Sequence, residues 1–159
     1  MKFSTREDVD APIEVTYAAA TDFLRFEKQV RRRGVEVKRL DRMEEVGVGM
    51  RWAIQFPYRG KDRRLNAEVA QMRAPEDLRV IAASNGIDAK LSLELLELSQ
   101  LHTRLKIGLD LRPRNLQARL LIQSLKFAKG NLDRKFSERV ASFARDVELR
   151  HNPMRALSL

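Results

Sequence analysis

The amino-acid sequence predicts an α+β fold in which one antiparallel sheet packs against a long helix near the end of the chain. Three observations support this prediction. Several stretches between residues 35 and 112 alternate apolar and polar side chains with the period of a half-buried strand. Short turns separate these stretches, and such turns favour antiparallel neighbours. From residue 114 onward, apolar side chains recur every three or four residues, which is typical of an amphipathic helix.

The first third of the chain carries signals for one strand and two short helices. Pro12 suits the first turn of a helix, where its missing N–H costs nothing. Thr21 or Asp22 can cap the second helix, and Gly34 after three consecutive arginines is typical of a helix end. The predicted elements are a strand over Lys2–Asp10, a helix over Ile13–Ala20 and a helix over Phe23–Arg33.

The middle of the chain is predicted to form six strands. In the strand that begins near Met50, large side chains alternate with smaller or polar ones, so the large ones share one buried face. Turns at 47–49, 59–62, 74–77 and 84–86 contain glycine or proline and separate neighbouring strands. The predicted strands are Val35–Leu40, Met50–Arg59, Leu65–Val69, Leu78–Ala83, Ile87–Leu98 and Leu101–Arg112.

The last third of the chain is predicted to be one continuous amphipathic helix from Arg114 to about Leu149. No proline and only one glycine, Gly130, interrupts this stretch. At about 100° per residue its apolar side chains fall on one stripe, which we expect to face the sheet. The stripe consists of Leu121, Leu125, Ala128, Leu132, Phe136, Val140, Phe143 and Val147.

The composition indicates one domain over residues 1–149, followed by a C-terminal tail over 150–159. Of the 159 residues, 43% are hydrophobic, which is enough to form one core. Cysteine is absent, so disulfides and thiolate chemistry are excluded. The N-terminus lacks the apolar stretch of a signal peptide and no run of 18 apolar residues exists, so we expect a soluble, cytoplasmic protein. The net charge of +9 favours anionic partners without choosing among them.

Short motifs near the N-terminus resemble those of the START-like superfamily, also called SRPBCC. The run Val9-Asp10-Ala11-Pro12-Ile13-Glu14-Val15-Thr16-Tyr17 is similar to the superfamily's apolar–x–Ala–Pro–x–Glu–x–apolar–aromatic pattern, although Thr16 replaces an apolar residue. Asp22 before the second helix and Gly49 before Trp52 also fit. The resemblance spans about residues 1–148. It implies a helix-grip fold, in which a curved antiparallel sheet wraps around the C-terminal helix and a deep apolar cavity lies between them.

The same resemblance implies a function. Members of the superfamily bind lipids, sterols, quinones or polyketides, and some are cyclases or dehydratases. The first hypothesis is therefore a non-enzymatic protein that binds or carries a hydrophobic or amphipathic small molecule, and the second is a polyketide cyclase- or dehydratase-type enzyme. A basic nucleic-acid-binding module is a third hypothesis. Because the basic residues are spread over many elements without interleaved aromatic side chains, no specific nucleic acid partner is expected.

The residues predicted to line the cavity come from the first helix, the inner faces of the strands and the C-terminal stripe. Tyrosine and tryptophan add a polar group to an apolar wall, which suits an amphipathic ligand, although plain core packing explains the same alternation. Glu7, Tyr17 and Tyr58 are the candidates for an acid or base. The predicted ligand-binding residues are Tyr17, Trp52, Ile54, Phe56, Tyr58, Leu91, Leu93, Leu105, Ile107, Leu125, Leu132 and Phe136.

No metal ion or other cofactor is predicted. Cysteine is absent, and His102 and His151 stand alone, without the spacing of metal ligands. The run Gly47-Val48-Gly49 lacks the following lysine of a phosphate-binding loop. These patterns exclude the common metal and nucleotide motifs.

A second apolar strip lies at the start of the C-terminal helix, nearly opposite the buried stripe. It consists of Leu116, Leu120 and Phe127. Such a strip can contact an anionic membrane or a second copy of the chain in a homodimer, and packing under a neighbouring loop explains it equally well. The flanking cations are Arg114, Arg119, Lys126 and Lys129.

Overall fold

The computed structural model describes residues 1–154, which form seven strands and four helices. The predicted order of strand, two short helices, six strands and a terminal helical segment is confirmed. Of the predicted tail 150–159, the last five residues lie outside the described part, and the first two belong to the last helix. The elements are β1 (Lys2–Val9), α1 (Ile13–Ala20), α2 (Phe23–Arg32), β2 (Glu36–Arg39), β3 (Arg51–Tyr58), β4 (Lys61–Arg73), β5 (Asp77–Ser84), β6 (Ile87–Ser99), β7 (His102–Pro113), α3 (Leu116–Lys126) and α4 (Lys129–His151).

All seven strands belong to one antiparallel sheet with the order β1-β7-β6-β5-β4-β3-β2. Because β1 and β2 lie at opposite edges, α1 and α2 connect one edge of the sheet to the other. A register shift between Val69 and Gln71 marks a bulge in β4, and bulges bend a sheet. The sheet wraps around α4, as the helix-grip fold requires.

The prediction of one continuous C-terminal helix is wrong, because the chain turns at Phe127 and Ala128. The Ala128 N–H donates to the carbonyl of Leu125 at 3.0 Å, a tight three-residue step, and α4 begins at Lys129. Helix α3 contacts β7, and helix α4 contacts β1, the neighbouring strand at the edge of the sheet. No proline marks the turn, although Gly130 lowers the helix propensity beside it.

The turn between β5 and β6 fixes the start of α3. Gly86 has a φ of +83°, and a Cβ atom at this position would collide with the Asn115 side chain. Asn115 in turn caps α3, because its Oδ1 accepts the Ala118 N–H at 2.8 Å. The Arg114 N–H donates to the Gly86 carbonyl at 2.7 Å. Glycine is therefore required where this turn meets the helix.

Two features of the N-terminal motif have a structural explanation. Asp22 caps α2, since its Oδ1 accepts the Arg25 N–H at 3.3 Å. Thr16 is fully buried, but its hydroxyl donates to the Pro12 carbonyl at 3.0 Å, so a polar residue is tolerated at this apolar position. The core between sheet and helices includes Val9, Met50, Val69, Leu105 and Val147.

Candidate functional site

A cavity of about 500 Å³ lies between the inner face of the sheet, α2 and α4. It brings together seven of the residues that the sequence predicts as ligand-binding: Trp52, Ile54, Leu91, Leu93, Leu105, Ile107 and Phe136. The other lining residues, which the sequence reasoning missed, are Ala20, Phe23, Phe26, Glu27, Val30, Val37, Leu78, Val80, Arg139, Val140 and Phe143.

The remaining predicted residues lie outside this lining. Tyr58 ends β3 and is exposed beside the hairpin turn, where the Arg59 guanidinium lies 5.4 Å from its ring centre. Phe56 is half-buried two residues earlier on the same strand. Leu125 and Leu132 are half-buried on either side of the turn between α3 and α4. Burial along β3 thus decreases toward the hairpin, because the helices do not cover its end.

Two of the three acid–base candidates are at least partly buried: Tyr17 is buried and Glu7 is half-buried. The Tyr17 hydroxyl donates to the Asp77 carbonyl at 2.8 Å. Burial, followed by the nearby Asp77 carboxylate, raises the pKa of Tyr17 above its usual value. Glu7 is half-buried on β1 opposite Leu105 and is not a lining residue. With Tyr58 at the hairpin, none of the three lines the cavity.

A buried carboxylate does line the cavity, at Glu27 on α2. The Trp52 Nε1–H donates to Glu27 Oε1 at 2.6 Å, and the Arg39 guanidinium lies 3.6 Å from the same oxygen. The Arg31 guanidinium lies 3.8 Å from Oε2. Only 9% of the Glu27 side chain is exposed. A buried carboxylate needs such partners, because desolvation of an unpaired charge is costly.

The position of Arg39 is fixed by Asp41. Asp41 accepts hydrogen bonds from Arg39 Nε at 2.9 Å and Nη2 at 2.8 Å, and from the backbone N–H groups of Met43 and Arg51. The pKa of the Asp41 carboxyl lies well below its usual range. The hydrogen bond from Arg39 is the largest cause, and the hydrogen bond from the Arg51 N–H is the second. Arg39 thereby stays 5.8 Å from the Trp52 ring centre, and the Trp52–Glu27 contact is preorganised.

The cavity wall is chemically simple. Among its lining residues only Glu27 and Arg139 carry a charge. Trp52 adds one N–H group, which already donates a hydrogen bond to Glu27. All other lining side chains are apolar. An apolar cavity with few polar groups suits a ligand that is hydrophobic over most of its surface.

Neither a metal site nor a membrane-spanning helix is found within residues 1–154. These residues contain no group of three or more histidine, aspartate or glutamate side chains that could hold a metal ion. None of their four helices combines the length and the apolar character needed to cross a bilayer. The cavity is therefore the candidate site.

The architecture is that of the START-like fold. A norcoclaurine synthase from Thalictrum flavum, solved with a transition-state analogue, matches with a TM-score of 0.66 and 9% identity, over 95% of each chain. An aromatase/cyclase from a Streptomyces species matches with a TM-score of 0.64 and 11% identity, over 94% of each chain. A START superfamily protein from Mycobacterium smegmatis has a TM-score of 0.55 and 13% identity, over 87% of this chain and 98% of its own. No protein-family model matches the sequence, and no curated protein matches it significantly.

Proposed function

We propose that this protein is a non-enzymatic carrier that binds a hydrophobic or amphipathic small molecule, such as a lipid, a quinone or a polyketide-like compound. The observation that carries the proposal is the cavity of about 500 Å³, whose wall is apolar except for Glu27 and Arg139. This volume falls within the range of small-molecule sites. The proposed place of action is the cytoplasm, which fits the absence of cysteine.

The polar groups of the wall favour a carrier over a cyclase- or dehydratase-type enzyme. Glu27 already accepts a hydrogen bond from Trp52 and has two arginines beside it, so its carboxylate is held by the protein's own groups. Tyr17 is bonded to a backbone carbonyl, and Tyr58 lies outside the cavity. The structural neighbours include an aromatase/cyclase and a norcoclaurine synthase, so the fold itself accommodates enzymes as well as carriers.

Delivery to a membrane is the second part of the proposal. Leu116, Leu120 and Phe127, which we call the α3 strip, are 71%, 58% and 95% exposed, so packing under a neighbouring loop is ruled out. Arg119 and Lys126 flank the strip and form no ion pair within residues 1–154. The other two flanking cations, Arg114 and Lys129, pair with Asp88 and Asp133. Apolar side chains edged by two cations without an ion pair among the described residues match the chemistry of an anionic bilayer surface. We therefore propose contact with anionic membrane rather than a homodimer.

The binding proposal is tested by titration of Trp52 fluorescence. Trp52 is the only tryptophan and lines the cavity, so its emission reports on that site. We expect dodecan-1-ol to cause a saturable change. Ile107→Phe fills part of the cavity and should weaken binding by about tenfold, which corresponds to roughly 1.4 kcal/mol.

The matched control is Ile81→Phe, the same substitution at an exposed position of the same sheet. Its affinity should equal that of the wild type. Native mass spectrometry of the purified protein adds a direct search for a bound molecule. The proposal fails if no apolar probe binds saturably, or if the two phenylalanine variants behave alike.

A further inference from the structure

We propose that Arg139 binds the anionic end of the ligand, so that the preferred ligand is an apolar molecule with one terminal carboxylate or similar anion. This inference rests on the proposed function, because it names the chemical class of the ligand in the same cavity.

Arg139 lines the cavity and is also exposed to solvent. Arg139 lies on α4 between Phe136 and Phe143, and all three line the cavity. Residues three and four positions apart share one face of a helix, so these side chains point to the same side. Arg139 is nonetheless exposed, which places it where the cavity meets solvent. A ligand whose apolar body fills the cavity would bring its polar end to this arginine.

Arg139 also has no anionic partner among the residues that the structure describes. No carboxylate oxygen within residues 1–154 lies within 4 Å of its guanidinium. The positions one helical turn away hold Lys135, Phe136, Ser142 and Phe143, none of which is acidic. Helix α4 does form such pairs elsewhere, as in Lys129 with Asp133 at 2.9 Å. Within residues 1–154 the cation at the cavity therefore has no carboxylate partner, whereas Lys129 and Arg134 on the same helix have one.

The negative charge of Glu27, the other charged residue of the wall, is balanced by the protein's own groups. Glu27 has the Trp52 N–H and the guanidinium groups of Arg39 and Arg31 around it, so it does not need a cationic ligand. An anion at Arg139 gains a charge-assisted hydrogen bond, which a neutral ligand does not offer. The net charge of +9 adds a field that attracts anions. These charges select an apolar acid over an apolar base.

The test measures how tightly dodecanoate and dodecan-1-ol bind to the wild type and to two arginine variants. The two ligands share a twelve-carbon chain, and only dodecanoate is charged. We expect the wild type to bind dodecanoate more tightly than the alcohol. Arg139→Met keeps an unbranched apolar side chain but removes the charge, and it should weaken dodecanoate binding by about tenfold, in line with one charged hydrogen bond. Binding of dodecan-1-ol should stay within about twofold.

The controls separate recognition of charge from packing. Arg145→Met makes the same change at an exposed position of α4 outside the lining, and it should leave both affinities unchanged. Arg139→Lys should retain most of the preference for dodecanoate. Thermal unfolding by circular dichroism verifies that each variant is folded.

Each outcome decides between the two proposals. If wild-type protein binds both ligands equally and Arg139→Met changes neither, the anion-binding role is overturned while the carrier function stands. If Arg139→Met weakens both ligands alike, the side chain acts by packing and the inference is overturned as well. If wild-type protein binds neither ligand, the proposed function itself fails.

Discussion

Helices α3 and α4 continue the same amphipathic pattern, but the apolar face of α4 lies against the core and the cavity, whereas α3 also carries an apolar face that is exposed. Helix α4 packs on β1 and α1, and buries Val140, Ala144 and Val147. Helix α3 contacts β7 and buries Ala118 and Ile122, and its opposite face is apolar and exposed. An amphipathic pattern therefore shows that a helix has an apolar face, whereas the surrounding elements decide whether that face becomes core or surface.

The difference assigns separate tasks to the two helices. Helix α4 forms one wall of the cavity with Phe136, Arg139, Val140 and Phe143, so its stability and ligand binding are linked. Helix α3 contributes no lining residue, and its exposed side chains contribute little to folding. Substitutions in α4 should therefore affect the free energy of unfolding, whereas those on the α3 strip should affect interactions alone.

The largest expected effect comes from one acidic substitution made in both helices. Val147 is fully buried, so Val147→Asp should lower the free energy of unfolding by about 4 kcal/mol or more, because a carboxylate would lie in an apolar core. Leu116 is 71% exposed and begins α3, so Leu116→Asp should change it by less than about 0.5 kcal/mol. Urea unfolding followed by circular dichroism measures both. Equal losses would contradict the distinction between the helices.

Much of the fold follows from local sequence signals. Alternation predicts the strands well, and the Asp22 cap of α2 has the expected hydrogen bond to the Arg25 N–H. These features depend on residues close together in sequence, so a single chain reveals them. The turn at Phe127 and Ala128 is different. It has no proline, so no strong helix-breaking residue in the sequence marks it.

The charged residues of the site were beyond sequence reasoning for the same reason. Glu27 reads as an ordinary residue near the start of a helix, but its partners Trp52 and Arg39 come from β3 and β2. Arg139 reads as one more cation in a basic chain, and only the packing of α4 places it at the cavity. The apolar wall was easier to find, since inward-facing positions of a strand alternate regularly.

A smaller effect is expected at the turn between the two helices. Leu132 is only half-buried and does not line the cavity, so Leu132→Ala should lower the free energy of unfolding by about 1 kcal/mol. Leu105→Ala is the reference, because Leu105 is 1% exposed and should lose about 2–5 kcal/mol. Urea denaturation compares the two variants. A loss at Leu132 as large as that at Leu105 would place this turn within the core and weaken the comparison.

The smallest effect on stability, and the sharpest test of α3, is expected for Phe127→Asp. Phe127 is 95% exposed, so this change should leave the free energy of unfolding within about 0.5 kcal/mol of wild type. It should nevertheless weaken binding to phosphatidylserine-containing vesicles several-fold, because it removes an inserted ring and adds a negative charge beside Lys126. Wild-type binding should fall with added salt, since the attraction of cations to anionic lipid is screened.

Leu96→Asp is the matched control for this experiment, because Leu96 is an exposed apolar residue on β6, outside the α3 strip. It should bind vesicles as the wild type does. Analytical ultracentrifugation tests the competing explanation of the strip. If the wild type sediments as a dimer, Phe127→Asp as a monomer, and neither binds vesicles, then α3 is a subunit contact and the membrane proposal is wrong. If vesicle binding depends on Phe127 and salt while sedimentation does not change, the exposed face of α3 serves the membrane.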